Sequence, residues 1–191
     1  SLNKGKIINC HVSADLKSEM NLGGLASGSA GLIEGCSFEG TAESEDKMRV
    51  GGIVSENMNY GTIRGCHSSG HVRGGFRVGG IAGQNGEEIE SCSSEVTVEN
   101  NQNPNGPLGG IVGRNYGVLQ DSYFDGEMKT ENNSNMEGVI VGKNCHTIRN
   151  CHSTDVEGEY LLIGEGSGVK ENNTFKQTKK KIERAIMANK I

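Results

Sequence analysis

The residues with chemical potential are six cysteines, five histidines and scattered carboxylates. Three Cys-His dipeptides, Cys10-His11, Cys66-His67 and Cys151-His152, mimic a metal motif. A structural zinc needs four ligands converging on one point. Adjacent strand residues face opposite sides, so each dipeptide divides its two ligands between inside and outside. His71 and His146 add no cluster, and the reading is that no metal and no cofactor is bound. Glu95 and Asp125 fall at equivalent offsets and form a candidate carboxylate pair, which could do acid–base work or hold a cation. Tyr60 and Tyr116 are read as sharing one turn column and complete the candidate binding surface. The chain has no His-Glu-x-x-His, no Gly-x-Ser-x-Gly and no phosphate-loop lysine motif, so a non-catalytic protein is expected.

Such groups must be positioned by the elements around them, and here these repeat. The blocks Gly23-Gly24-Leu25-Ala26-Ser27, Gly51-Gly52-Ile53-Val54-Ser55, Gly79-Gly80-Ile81-Ala82-Gly83 and Gly109-Gly110-Ile111-Val112-Gly113 recur, with weaker copies at Gly138-Val139-Ile140-Val141-Gly142 and Tyr160-Leu161-Leu162-Ile163-Gly164. Their central residues are spaced by 28, 28, 30, 29 and 22. Each block leads to an apolar residue (Ile33, Ile63, Ile89, Leu119, Ile148) and three positions later to Cys36, Cys66, Cys92, Ser122 or Cys151. Ile7 and Cys10 open the series. After the cysteine position, apolar or small residues alternate with polar ones, the signature of a strand with one buried face. The odd step from Ile to Cys lets both face inward only if the chain turns a corner between them.

Composition agrees with a narrow core. Of 191 residues, 30 are glycine and only two proline, which excludes collagen. Leu, Ile, Val and Phe make about a fifth of the chain, close to the floor for folded domains. A coil of 28 to 30 residues, stacked in parallel with equivalent side chains in columns, satisfies these constraints. The fold class expected is all-β: a parallel β-helix, or β-solenoid, of about six coils over 1–175, right-handed as most such helices are. Residues 176–191 carry six basic residues and one acidic and are read as a basic C-terminal helix, acting as cap or linker.

The pattern G-G-[LI]-[VA]-G-x-N-x-G-x-I-x-x-C resembles the GLUG-motif repeat of bacterial surface and secreted proteins. It is carried by Gly109-Gly110-Ile111-Val112-Gly113-Arg114-Asn115-Tyr116-Gly117-Val118-Leu119, with Ser122 in the cysteine position. The resemblance implies a parallel β-solenoid serving as a non-catalytic module of larger exported proteins, some relatives accompanying immunoglobulin-cleaving metallopeptidases. It therefore implies an extracellular or cell-surface location, although the N-terminus shows no signal-like apolar block.

The columns have structural roles. Asn57, Asn85, Asn115 and Asn144 are expected to stack as an amide ladder, with Ser29 and Gly166 replacing asparagine in the terminal coils. Cys10, Cys36, Cys66, Cys92 and Cys151 are expected in one buried, reduced column, too widely spaced for disulfides, leaving Cys145 as the reactive thiol. Phe38 and Phe124 are expected inside. Glu34, Arg64 and Glu90 are expected to pair across coils.

Three arcs of variable length, Glu43–Arg49, Glu99–Pro107 and Lys129–Glu137, gather on one edge, and such an edge often binds a partner. The function expected is a structural or adhesive module whose loop edge meets a protein or glycan. The alternative is a carbohydrate-active β-helix. A net charge of -5 disfavours nucleic acid, no apolar run suits a membrane span, and the module is expected to be monomeric.

Overall fold

The structure is a computed structural model that describes residues 1–44, 48–100, 106–130, 136–154, 156 and 160–175. All regular structure in them is β, and every strand pairing is parallel. The expected helix over 176–191 lies outside the described residues, as do 45–47, 101–105 and 131–135 of the variable arcs. Among the described residues no helix is long and apolar enough to cross a membrane.

The chain winds as a β-solenoid with three stacks of strands. One sheet has seven short strands, beginning at Lys6–Ile8 and Leu32–Glu34 and ending at Val169–Glu171. Ile7, Ile33, Ile63, Ile89, Leu119 and Ile148 stand in direct register along it. Windings of 26 to 30 residues separate these apolar positions, and the last step, from Ile148 to Lys170, shortens to 22 residues. A second sheet runs from His11–Ser18 through Ser37–Ser44, His67–Gly74 and Ser93–Asn100 to Thr174–Phe175. The third carries the Gly-rich blocks, whose two arms double back on each other. Leu25, Ile53 and Ile81 donate their N–H groups to the carbonyls of Ile53, Ile81 and Ile111 at 3.0, 3.0 and 2.9 Å, so equivalent block residues are vertical neighbours.

Between each Ile and its cysteine lies the expected corner. Asn9, Gly35, Gly65, Ser91, Asp121, Asn150 and Asn172 all adopt positive φ, between 50° and 60°. All but Ser91 are residue types that tolerate the left-handed region. The turn takes the odd step out of the alternation, and Ile63 and Cys66 are both buried as a result. Each thiol finishes the corner by donating to the carbonyl two residues back: Cys36 to Glu34 at 3.2 Å, Cys66 to Arg64 at 3.4 Å, Cys92 to Glu90 at 3.3 Å. Ser122 substitutes cleanly because its hydroxyl donates to Gln120 O at 2.8 Å and accepts the Cys92 N–H at 3.1 Å. Asn173 extends the column, taking the Cys151 N–H at 2.9 Å.

The core is narrow because backbones approach closely. A Cβ on Gly110 would lie 2.2 Å from Val139 O and 2.5 Å from the Phe124 ring, and one on Gly24 would lie 2.4 Å from the Phe38 ring. The second glycine of these blocks therefore makes room for a buried phenylalanine. Gly52 and Gly80 make the same room for Ser68 and Ser94; Val139 replaces the glycine in the fifth block, where the register shifts between Gly138 and Val141 in the pairing with Leu161–Glu165.

One expected position is corrected. Cys36, Cys66, Cys92 and Cys151 are buried free thiols, but Cys10 is exposed, like Cys145. Cys10 belongs to the first winding, where only one neighbour covers its face.

Candidate functional site: the outer columns and the loop edge

Outward-facing side chains also stack, so each outer column is a row of groups one strand spacing apart, about 4.8 Å. In the cysteine-plus-one column, histidine alternates with a hydroxyl or tyrosine. His11 Nδ1 meets Ser37 Oγ at 2.8 Å, His67 Nδ1 meets Ser93 Oγ at 2.9 Å, and His152 Nδ1 meets Thr174 Oγ1 at 2.6 Å. One nitrogen of each ring is thus engaged with a neighbouring winding, and the three histidines stay apart. Among the described residues no group of three His, Cys, Asp or Glu side chains is placed to hold a metal.

Charged columns mostly alternate in sign. Arg64 lies in register between Glu34 and Glu90 and binds Glu34 at 3.0 Å, a contact that raises the guanidinium's pKa. On the second sheet Lys17, Glu43, Arg73, Glu99 and Lys129 follow one another in register. Arg73 reaches Glu43 at 3.3 Å and Glu99 at 2.9 Å, and His71 Nε2 lies 3.1 Å from Glu99. Exposed pairs of this kind each contribute little, but a one-winding slip would oppose like charges, so they hold register.

The candidate carboxylates fall on neighbouring windings. Glu95 is exposed on the second sheet, opposite Ser69. Asp125 follows Phe124, the register partner of Ser94, and donates its N–H to Ser94 O at 2.9 Å; it is exposed beside Glu95 and accepts a hydrogen bond from Thr154 Oγ1. The tyrosines do not share a column. Tyr116 is the residue after the Asn ladder, where Met58, Gly86 and Cys145 stand in the other windings. Asn59 and Tyr60 are two extra residues after Met58, both at positive φ, and they lift Tyr60 into solvent at 93% exposure.

The amide ladder is continuous. Asn57 donates to Asn85, Asn85 to Asn115 and Asn115 to Asn144, each at 2.9 Å, and all four residues are fully buried. Each Nδ2 also reaches turn carbonyls, so the column ties the end of the block to the next strand.

A further group was not anticipated from the sequence. Arg49 and Arg77 are in direct register where the variable arcs enter the blocks, and Arg114 lies on the other arm one winding further on. Arg77 stacks on Phe76 at 4.5 Å and Arg114 on Tyr116 at 4.6 Å. Glu56 accepts from Arg49 at 2.8 Å, and Gln84 bridges Arg77 to Glu56. The Nε atoms of all three arginines are buried without a hydrogen-bond partner among the described residues. Burial, then the charges of Arg49 and Arg114, hold the Arg77 pKa below its ordinary value. The available signal was Arg-Val-Gly-Gly, which occurs at both 49–52 and 77–80.

Two successive segments, 48–73 and 74–99, match the family model described as the GLUG motif. Residues 48–99 carry two GLUG-motif repeats. Each matched segment starts at the end of one arc and spans a block, its Asn, its corner and most of the following second-sheet strand. The GLUG motif is thus one winding of this solenoid, cut at the loop edge. No curated protein and no solved structure matches the chain.

Proposed function

We propose that this solenoid is a non-catalytic adhesive repeat module of a bacterial surface or secreted protein, presenting its loop edge to a protein or glycan. The observation that supports the reading is the division of labour in each winding. Amide, thiol and charge columns fix the blocks, corners and second sheet in register, while variation in length collects where Glu43–Arg49, Glu99–Pro107 and Lys129–Glu137 join the blocks. A rigid scaffold with variable connections on one edge is how repeat proteins display binding groups.

The test exchanges the arcs 99–107 and 129–137 for the shorter arc of the winding at 73–77. Adhesion of the purified chain to immobilised host-matrix proteins and glycans should fall to background, with the thermal midpoint unchanged. Adhesion unaffected by both exchanges would remove the loop edge from the reading. A second reading, a carbohydrate-active β-helix, draws on the neighbouring carboxylates Glu95 and Asp125. It requires glycan cleavage by the wild-type chain that disappears in Glu95→Ala/Asp125→Ala.

A further inference from the structure

The arginine cluster breaks the alternation of sign seen in the columns of Arg64 and Arg73. Arg64 and Arg73 each face carboxylates on the neighbouring windings; here Arg49 faces Arg77 directly, an arrangement that costs stability in a sheet. Arg114 adds a third guanidinium close enough to depress the Arg77 pKa. Glu56 is their only carboxylate partner among the described residues, and Arg49 takes it. Arg77 is given a neutral amide, Gln84, and Arg114 forms no ion pair among the described residues. The next residue in the Arg114 column, Lys143, is paired with Glu165 at 3.0 Å, so the unpaired charge is confined to Arg77 and Arg114. Local rules are broken in this way at functional sites, where a ligand supplies the missing partner.

From the like-charged register of Arg49 and Arg77, the unpaired guanidinium of Arg114 and the aromatic rings beside them, we infer that this edge binds the carboxylate groups of an acidic polysaccharide. Guanidinium forks match carboxylates bidentately. The arginines sit on successive windings, so their charges are spaced by a rigid backbone, as a polymer bearing one acid per sugar requires. Tyr116 is 40% exposed while it packs on Arg114, leaving it ring surface for a sugar, which an acidic peptide would not need. The cluster also lies on the arc edge: Pro107 O accepts the Val78 N–H at 3.0 Å, and a Cβ on Gly106 would lie 2.8 Å from Phe76 O. The inference rests on the reading of that edge as the binding edge and names its ligand.

The full chain would be titrated calorimetrically with trigalacturonate, with maltotriose as the neutral sugar and triglutamate as the acidic peptide. Trigalacturonate should bind at least tenfold more tightly than either, and more weakly as salt is raised. Arg77→Gln/Arg114→Gln should weaken it by tenfold or more per guanidinium, with the circular dichroism unchanged, while Arg64→Gln on another sheet should bind as wild type does. Equal affinity for maltotriose or triglutamate, full affinity in the double variant, or no binding of trigalacturonate would each overturn the inference. The same proteins go through the adhesion assay. If the wild-type chain adheres through its arcs but ignores trigalacturonate, only the ligand assignment falls; if it adheres to nothing, the edge reading falls with it.

Discussion

Replacing Asn85 with alanine interrupts the amide ladder at its middle. The Asn85 Nδ2 donates to Asn115 Oδ1 at 2.9 Å and to the carbonyls of Glu87 and Val118 at 3.1 Å. Its Oδ1 accepts from Asn57 at 2.9 Å and from the Glu87 N–H at 3.2 Å. The substitution takes the donor from Asn115 Oδ1, in a residue with no exposure, and the acceptor from Glu87 N–H. Orphaned buried groups cost about 1–3 kcal/mol each, and the bonds that merely lose one of several partners add about 0.5–1.5 kcal/mol. A loss of about 3–4 kcal/mol follows. With a urea m-value near the upper end for small proteins, roughly 2–3 kcal/mol/M, the unfolding midpoint should fall by about 1–2 M. Asn3→Ala is the internal control. Asn3 stands at the open end of the same column, part-buried, and donates to Ser29 Oγ and Leu32 O at 3.2 Å; its loss should cost only about 1 kcal/mol. If Asn85→Ala is no more damaging than Asn3→Ala, the ladder is not a stabilising element and the reasoning fails.

Four further outcomes are expected. Ser29→Asn should raise the thermal midpoint by about 2–4 °C, because Asn57 Oδ1 has no donor among the described residues and Ser29 is its register partner; calorimetry showing no gain would count against the ladder geometry. Gly110→Ala should cost about 3 kcal/mol or more, since its Cβ would sit 2.2 Å from a backbone carbonyl, while Gly5→Ala, with nothing within 4 Å, should be neutral; chemical denaturation of the pair decides it. Stability should decline in alkaline solution. Burial pushes the Cys151 thiol up to about 12 from 9.0 and raises that of Cys36, while contact with Cys66, then burial, raises Cys92. A raised folded pKa gives stability that is complete below pH 9.0 and is lost as the pH climbs towards 12, so Cys151→Ser should flatten that decline. In the native protein a thiol reagent should modify Cys10 and Cys145 and leave the buried four untouched until unfolding.

Much of this architecture is readable in the order of residues, because a solenoid writes each column as a period. Ile53, Ile81 and Ile111, the Asn ladder and the corner before each cysteine follow from counting alone, and Phe38 and Phe124 are buried as their alternation requires. Counting fails where burial depends on a missing neighbour: Cys10 occupies a column position that is interior only when windings lie on both sides. It also fails at insertions. Tyr60 matches Tyr116 if turns are compared loosely, but Asn59 and Tyr60 form a bulge that removes both from the ladder. The arginine cluster was hidden for a different reason. Its members occupy two columns that come together only because the block doubles back on itself, and a linear period does not report contacts between its own two halves.

The register of the windings constrains how such a chain can change in length. Removing a whole winding closes the amide, thiol and block columns on themselves and draws the remaining edge groups together by one strand spacing, about 4.8 Å. Removing half of one would set corners against strands and leave asparagines facing glycines. The molecule therefore behaves as a graduated ruler, lengthened or shortened by recombination in whole divisions, each of which moves whatever it carries by a fixed step.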